Sequence, residues 1–265
     1  MTFRIIDELS RAGNIRNEDF YAYSHNAVLL LDGSSGLTGT APDACRFVKE
    51  YAELFMKNIA ETANLCETIN SSIRELETRY KSEGVCVGGG LLPSAALLAM
   101  YLKEGKLQVI TVGDCTALIK SRKGITSLYR DEVEKFDSAV KNEAVRIREQ
   151  TGEDICDIMR NPHIREMLYS NRLKMNAPDG YEILAFNMRE RNAADVMEFD
   201  VSDICEIVIF SDGFEAKYSE LHNNTPSLAE LYMELREEEQ SDSRLNLNPR
   251  FKISDDATAL VIKIV

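Results

Sequence analysis

Acidic residues close one apolar stretch of this sequence after another. Val28 to Leu31 runs into Asp32-Gly33, Leu107 to Val112 into Gly113-Asp114, and Ile207 to Phe210 into Ser211-Asp212, while the final apolar stretch opens just after Asp255-Asp256. Stretches of this length are strand-sized, and in an antiparallel sheet the end of one strand lies beside the start of its neighbour. The carboxylates can therefore be gathered at one rim of a core. Gathered carboxylates repel one another and stay ionised near neutral pH only beside cations, and an all-oxygen donor set favours hard divalent ions such as Mg²⁺ or Mn²⁺. A single Asp-Gly is an ordinary turn former; the recurrence is what asks for a metal. An EF-hand loop starting at Asp32 fails, because Leu37 stands where the sharp turn needs glycine and Asp43 where a bidentate Glu is usual. The run Gly88-Gly89-Gly90 lacks a following Lys-Ser/Thr pair and reads as a turn rather than a phosphate loop. No Ser/His/Asp or Cys/His arrangement for a protein nucleophile is evident in the sequence.

The elements that must hold these residues can be read from periodicity. Tyr21 to Leu31 reads as a strand pair or a bent strand. With Thr40 as cap and Pro42 in the first turn, Ala44, Phe47, Val48, Tyr51, Leu54, Phe55 and Ile59 recur at helical spacing. Leu65, Ile69, Ile73, Leu76 and Tyr80 repeat the pattern in a second, antiparallel helix that ends at Gly84. Ala95 to Tyr101, Leu107 to Val112 and Thr116 to Lys120 then read as a meander, with turns at Lys103-Glu104-Gly105, Gly113-Asp114 and Lys123-Gly124. Residues 131–175 are dense in charge and broken at Asn161-Pro162, which predicts a mostly helical insertion, a flap, within a single domain spanning 1–265. Strands are expected again at Tyr181 to Phe186, Asp203 to Phe210 and Ala257 to Val265, with a helix from Ser227 to Gln240. Strands that come after a helix pair, rather than alternating with single helices, predict an antiparallel α+β fold over a doubly wound parallel sheet.

Composition narrows the function classes. The 265 residues are 44% hydrophobic and carry a net charge of −13, so a sizeable core is expected and nucleic acid is not an expected partner. No apolar run approaches the roughly 20 residues of a membrane span. Residues 1–13 lack the basic start and apolar stretch of a signal peptide, which makes the cytoplasm the expected compartment. Six scattered cysteines without a Cys-x-x-Cys pair, and only three histidines, argue for reduced thiols and against zinc.

Read in order, Asn17-Glu18-Asp19, Leu31-Asp32-Gly33, Pro93-Ser94-Ala95-Ala96 leading to Val112-Gly113-Asp114, Phe210-Ser211-Asp212-Gly213 and Ser254-Asp255-Asp256-Ala257-Thr258 resemble the motif series of the metal-dependent protein phosphatases of the 2C class. The resemblance covers nearly the whole chain. It implies a four-layer α/β/β/α sandwich, two antiparallel sheets flanked by helices, with a centre for two Mn²⁺ or Mg²⁺ ions at the ends of the sheets. By position, Asp32 would bridge both ions and Gly33 would offer its carbonyl. Asp212 and Asp255 would complete the first ion, Glu18 would hold waters at the second, and Asp19 would act from nearby. Water activated between two ions about 3.5–4 Å apart would then attack phosphorus in line. The implied activity is removal of phosphate from phosphoserine and phosphothreonine in proteins.

The departures matter as well. The family arginine that binds substrate phosphate would fall at Asn14, which leaves Arg16 as the nearest candidate for that contact. Ser34 stands where animal members carry a histidine, and Asp256 where the family often has Asn. A third ion would use Asp114, but its partner position is Ala216, with Glu215 adjacent, so that site is weak or rebuilt. Two other readings stay open on the same residues: a catalytically weak binding or sensing module, and a phosphatase of small metabolites.

Overall fold

The computed structural model describes residues 1–13, 15–36, 42–87, 92–130, 132–153, 155–158, 160–223, 227–242 and 254–265. Asn14, Leu37, Thr40 and Gly88-Gly89-Gly90 lie outside the described residues. One five-stranded sheet runs β2 (Phe20–Tyr23), β3 (Ala27–Ser34), β4 (Ser94–Lys103), β5 (Lys106–Val112) and β8 (Met197–Asp200). The other, also five-stranded, runs β1 (Phe3–Arg11), β10 (Ala257–Ile264), β9 (Ile204–Phe210), β6 (Thr116–Ser121) and β7 (Gly124–Leu128). Every pairing in both is antiparallel.

The continuous apolar runs have a simple cause: both faces of the central strands are buried. Along β3, Ala27, Leu29 and Leu31 face the helices α1 (Ala44–Thr62) and α2 (Leu65–Ser82), against Phe47, Tyr51, Phe55 and Leu76. The alternate residues Val28 and Leu30, with Leu98 of the neighbouring β4, face the second sheet and share a core with Ile207, Ile209, Leu260 and Ile262. Beyond that sheet, Val208, Phe210 and Val261 pack on Phe214 and on Leu221, Leu228, Leu231 and Leu235 of α6 (Tyr218–Asn223) and α7 (Leu228–Ser241). The layers are thus helix, sheet, sheet, helix, the expected α+β sandwich. Each fully buried leucine or isoleucine contributes about 1.5–3 kcal/mol of burial.

Local chemistry sets the element ends. The Asp43 carboxylate accepts the Arg46 N–H at 2.9 Å to start α1, and Asn64 Oδ1 accepts the Glu67 N–H at 3.1 Å to start α2. The segment expected to form an insertion is helical: α3 (Glu132–Thr151), the short α4 (Ile155–Ile158) and α5 (Pro162–Arg172), with Asn161 capping α5. Val140, Ala144, Ile147, Ile158 and Ile164 form a small core of their own.

Three expectations are corrected. The meander is split, because β4 and β5 belong to one sheet and β6 to the other. The crossing occurs at Gly113, whose φ of +81° suits glycine, and whose absent Cβ would lie 2.7 Å from Ala96 Cβ. Residues 181–186 form no strand, only bridges from Tyr181 to Met175 and from Leu184 to Ala95. The reason is Asn176, whose side chain takes the Ile183 N–H and donates to the Ile183 carbonyl, both at 3.0 Å, so pairing stops at the one bridge that Leu184 makes with Ala95. Finally, Asp32 and Gly33 lie inside β3, opposite Ala96 and Ala95, rather than beyond its end.

Candidate metal centre

Each acidic residue chosen from the sequence reaches the centre by a different element. Asp32 comes from β3, Asp114 from the crossing between β5 and β6, and Asp212 from the turn after β9. Asp255 precedes β10, and Glu18 precedes β2. With Gly33, these five line a single cavity of about 430 Å³. The opposite wall comes from the helical segment and from Tyr181 beyond it, with Val133, Asp137, Leu168, Asn171 and Arg172 contributed by the helices.

The inner framework is a hydrogen-bond network joining distant segments. Asp256 is buried, and its two oxygens accept the N–H groups of Gly13 at 2.8 Å and Glu18 at 2.7 Å. That clamp ties the backbone of Glu18 to the segment that carries Asp255. Asp19 is buried beneath the cavity and accepts the Ser211 hydroxyl at 2.7 Å, while Ser211 Oγ accepts the Thr258 N–H at 3.0 Å. The Asp212 N–H donates to Asp32 Oδ2 at 3.4 Å, and the Ser35 hydroxyl to Glu18 Oε1.

The electrostatics of the carboxylates reflect this crowding. Asp32 and Asp212 open onto the solvent of the cavity but sit at its floor. Burial first, then neighbouring aspartates, hold both well above the usual carboxylate range: Asp212, Asp19, Asp114 and Asp255 act on Asp32, and Asp255, Asp114 and Asp19 on Asp212. Burial pushes Asp19 up to about 7 even though Ser211 and Thr258 bond to it. Asp114 is pushed to about 6, by burial and then by Asp137 and Glu215. Such a set is ionised at neutral pH only beside positive charge.

The donors are carboxylates and a backbone carbonyl, the set hard divalent ions take. Among the described residues no three acidic, thiol or imidazole groups close tightly around one point. The carboxylates instead surround a space that admits water, and small divalent ions of the Mg²⁺ kind are bound through one or two carboxylates and retained waters. The residues fit such ions. For a third ion, Asp114 and Asp212 also line a narrow cavity of about 30 Å³ shared with Glu134, Asp137, Lys141 and Glu215. Glu215 lines it and Ala216 does not.

Among the described residues, the family model for protein phosphatase 2C encloses all of these site positions, matching residues 13–248, except Asp255 and the clamp residue Asp256 beyond its end. The chain belongs to the protein phosphatase 2C family. No curated protein sequence matches it significantly. Among solved structures, the serine/threonine phosphatase PstP/Ppp of Mycobacterium tuberculosis is similar at TM-score 0.57 and 16% identity, over 100% of this chain and 99% of that one. Stp1, a serine/threonine phosphatase from Staphylococcus aureus, is similar at TM-score 0.57 and 14% identity, over 99% and 96% of the two chains. The catalytic domain of PstP in complex with two manganese ions is similar at TM-score 0.52 and 15% identity, over 100% and 99%. At these identities the likeness is one of fold, and the 2C family is that of metal-dependent protein serine/threonine phosphatases.

Of the positions chosen from sequence, Glu18, Asp32, Gly33, Asp114, Asp212 and Asp255 share the cavity, and Asp19 lies below it. Arg16 does not line it: its side chain is 71% exposed and donates to Asp43 at 2.7 Å. Sequence reasoning missed Arg172 and the clamp role of Asp256. Asp256 had a readable signal, because adjacent residues of an extended chain point to opposite sides, so only one of Asp255-Asp256 can face the rim.

Proposed function

We propose that this 2C-family chain hydrolyses phosphoserine and phosphothreonine esters in proteins, with Glu18, Asp32, Gly33, Asp212 and Asp255 holding two Mn²⁺ or Mg²⁺ ions. The observation that carries the reading is the shared cavity of residues from five separate segments. When bound, paired divalent ions supply a water nucleophile near neutral pH and neutralise phosphate oxygens. The chain's part is positional. Asp32, fixed in β3 and bonded by the Asp212 N–H, sets the centre of the site, and the Asp256 clamp sets Glu18 at its edge. Asp19, buried and bonded by Ser211, braces the floor of the site. Asp114 and Glu215 offer a rebuilt place for a third ion. No cysteine or histidine lines the cavity among the described residues, and burial pushes the nearby Cys115 thiol well above its usual range. The helical segment 131–175, with its own small core, acts as a flap over the site within one domain. Among the described residues no helix is long and apolar enough to cross a membrane. The cytoplasm is the compartment proposed, since it keeps exposed thiols such as Cys86 and Cys205 reduced.

The test is turnover of p-nitrophenyl phosphate with added Mn²⁺, before and after Asp32→Ala. A loss of at least about 100-fold is expected, as for other removals of a transition-state charge stabiliser. Activity that survives the substitution, or that persists in a chelator, overturns the assignment. Phosphopeptides should be turned over faster than phosphorylated metabolites; the reverse order would move the substrate class.

A further inference from the structure

The cavity is lined by carboxylates, serines and apolar groups, and among the described residues by one cation, Arg172. It ends α5, so a helix rather than a loop presents it. Its residue is only 8% exposed, yet its acceptors are neutral. Nη1 donates to Ser94 Oγ at 2.8 Å, and Nη2 to Ser34 Oγ at 3.0 Å, to the Ser34 carbonyl at 3.2 Å and to the Ser35 carbonyl. Among the described residues no carboxylate pairs with it directly, and Nε donates to none of them. Buried guanidinium groups are costly unless an anion meets them. Here the nearest charges, Glu18 and Asp137, act on it only across a distance.

Arg16 is in the opposite state, exposed at the surface and already paired with Asp43. A phosphate monoester is a dianion that must enter a pocket of aspartates, and a planar guanidinium matches its oxygens as a fork. We infer that Arg172 binds the substrate's phosphoryl oxygens, so that the helical segment, rather than the N-terminal motif, supplies this chain's phosphate-binding arginine. The inference rests on the phosphatase reading of the same site. Ser34 and Ser94 are neutral acceptors that orient the guanidinium, and phosphate, the stronger acceptor, replaces them when it binds.

The test is calorimetric titration of inorganic phosphate into the Mn²⁺-loaded protein, with Mn²⁺ affinity and p-nitrophenyl phosphate kinetics measured alongside. Arg172→Ala should weaken phosphate binding and raise KM by roughly 10- to 100-fold, the scale of a charge-assisted hydrogen-bond pair, with Mn²⁺ affinity within about twofold. Arg172→Lys should fall between, and the double variant S34A/S94A should lose no more than about threefold in phosphate affinity. Unchanged phosphate binding in R172A overturns the inference. So does loss of Mn²⁺ binding in R172A, or an S34A/S94A variant as impaired as R172A, since either marks a latch for the fold. Absence of Mn²⁺-dependent turnover in the wild type would instead overturn the phosphatase reading, and the phosphate titration would still decide the role of Arg172.

Discussion

In the metal-free protein, stability should fall as pH rises from about 4 to about 7, with Asp19 as a main cause. Its carboxyl is buried, and burial outweighs the hydroxyl groups of Ser211 and Thr258 to push it up to about 7 from an ordinary 3.8. Well below its ordinary 3.8 the group is protonated in both folded and unfolded chains. Between the two pKa values the unfolded chain has lost the proton and the folded chain keeps it, so the folded state binds more protons and stability declines with pH. Above about 7 both forms are ionised and the deficit stays constant. A shift of about three units corresponds to roughly 4 kcal/mol, of which about 2–3 kcal/mol is lost between pH 5 and pH 8. Asp114, raised to about 6, acts in the same direction but opens onto cavity solvent and weighs less. Urea unfolding in a chelator at pH 5, 6, 7 and 8 reads this directly. Asp19→Asn should flatten the profile by about 2–3 kcal/mol across that range, because an amide cannot titrate. Saturating Mn²⁺ should flatten the wild-type profile as well. Parallel profiles for the wild type and D19N, or a metal-free stability that climbs from pH 5 to pH 7, would show that burial does not govern this carboxyl.

Three further outcomes rest on named contacts. Gly33→Ala would place a Cβ 2.4 Å from the Glu18 carbonyl oxygen and 3.0 Å from Val48 Cγ1. Overpacking of this kind costs about 1–3 kcal/mol, so Tm should drop by several degrees and the rise in Tm on adding Mn²⁺ should shrink; an unaltered melt in both conditions counts against the geometry. Asp256→Asn keeps one acceptor but turns an amide N–H toward a backbone N–H of Gly13 or Glu18, which should cost about 1–3 kcal/mol in urea unfolding. A D256N chain as stable as the wild type would remove Asp256 from its clamp role. Arg16→Ala breaks a surface ion pair worth about 0–1 kcal/mol and should leave KM for p-nitrophenyl phosphate within about twofold; a tenfold rise would return phosphate binding to Arg16.

The rim of carboxylates was legible because a strand writes its own ends: an apolar run closed by Asp can be read without knowing its partners. So were α1 and α2, whose apolar residues recur every three to four positions. Less legible was anything decided by packing between segments. β1 shows mixed burial along its length and pairs with β10 from the far end of the chain, which no local pattern announces. Residues 181–186 make an apolar run of strand length, yet Asn176 claims the hydrogen bonds of Ile183 first. Arg172 was hidden for the same reason. Asn161-Pro162 announces the helix that carries it, but only the docking of that helix on Ser34 and Ser94 turns a residue at a helix end into one that faces the cavity.

The same topology explains why the site lies between sheets rather than on one. β3 brings Asp32 up one sheet, β9 and β10 bring Asp212 and Asp255 to the same end of the other, and Asp114 sits where the chain crosses between them. Because every pairing is antiparallel, the start of β10 lies beside the end of β9, Ala259 opposite Phe210, so one short stretch of rim receives two motif segments. The apolar layer between the sheets, Leu30 and Leu98 against Ile209 and Leu260, then fixes the spacing of the two carboxylate sets. Repulsion among these aspartates opposes folding of the metal-free chain, and the core between the sheets is what holds them in place against it. The cost of that crowding is expected to appear as pH-dependent stability of the metal-free chain.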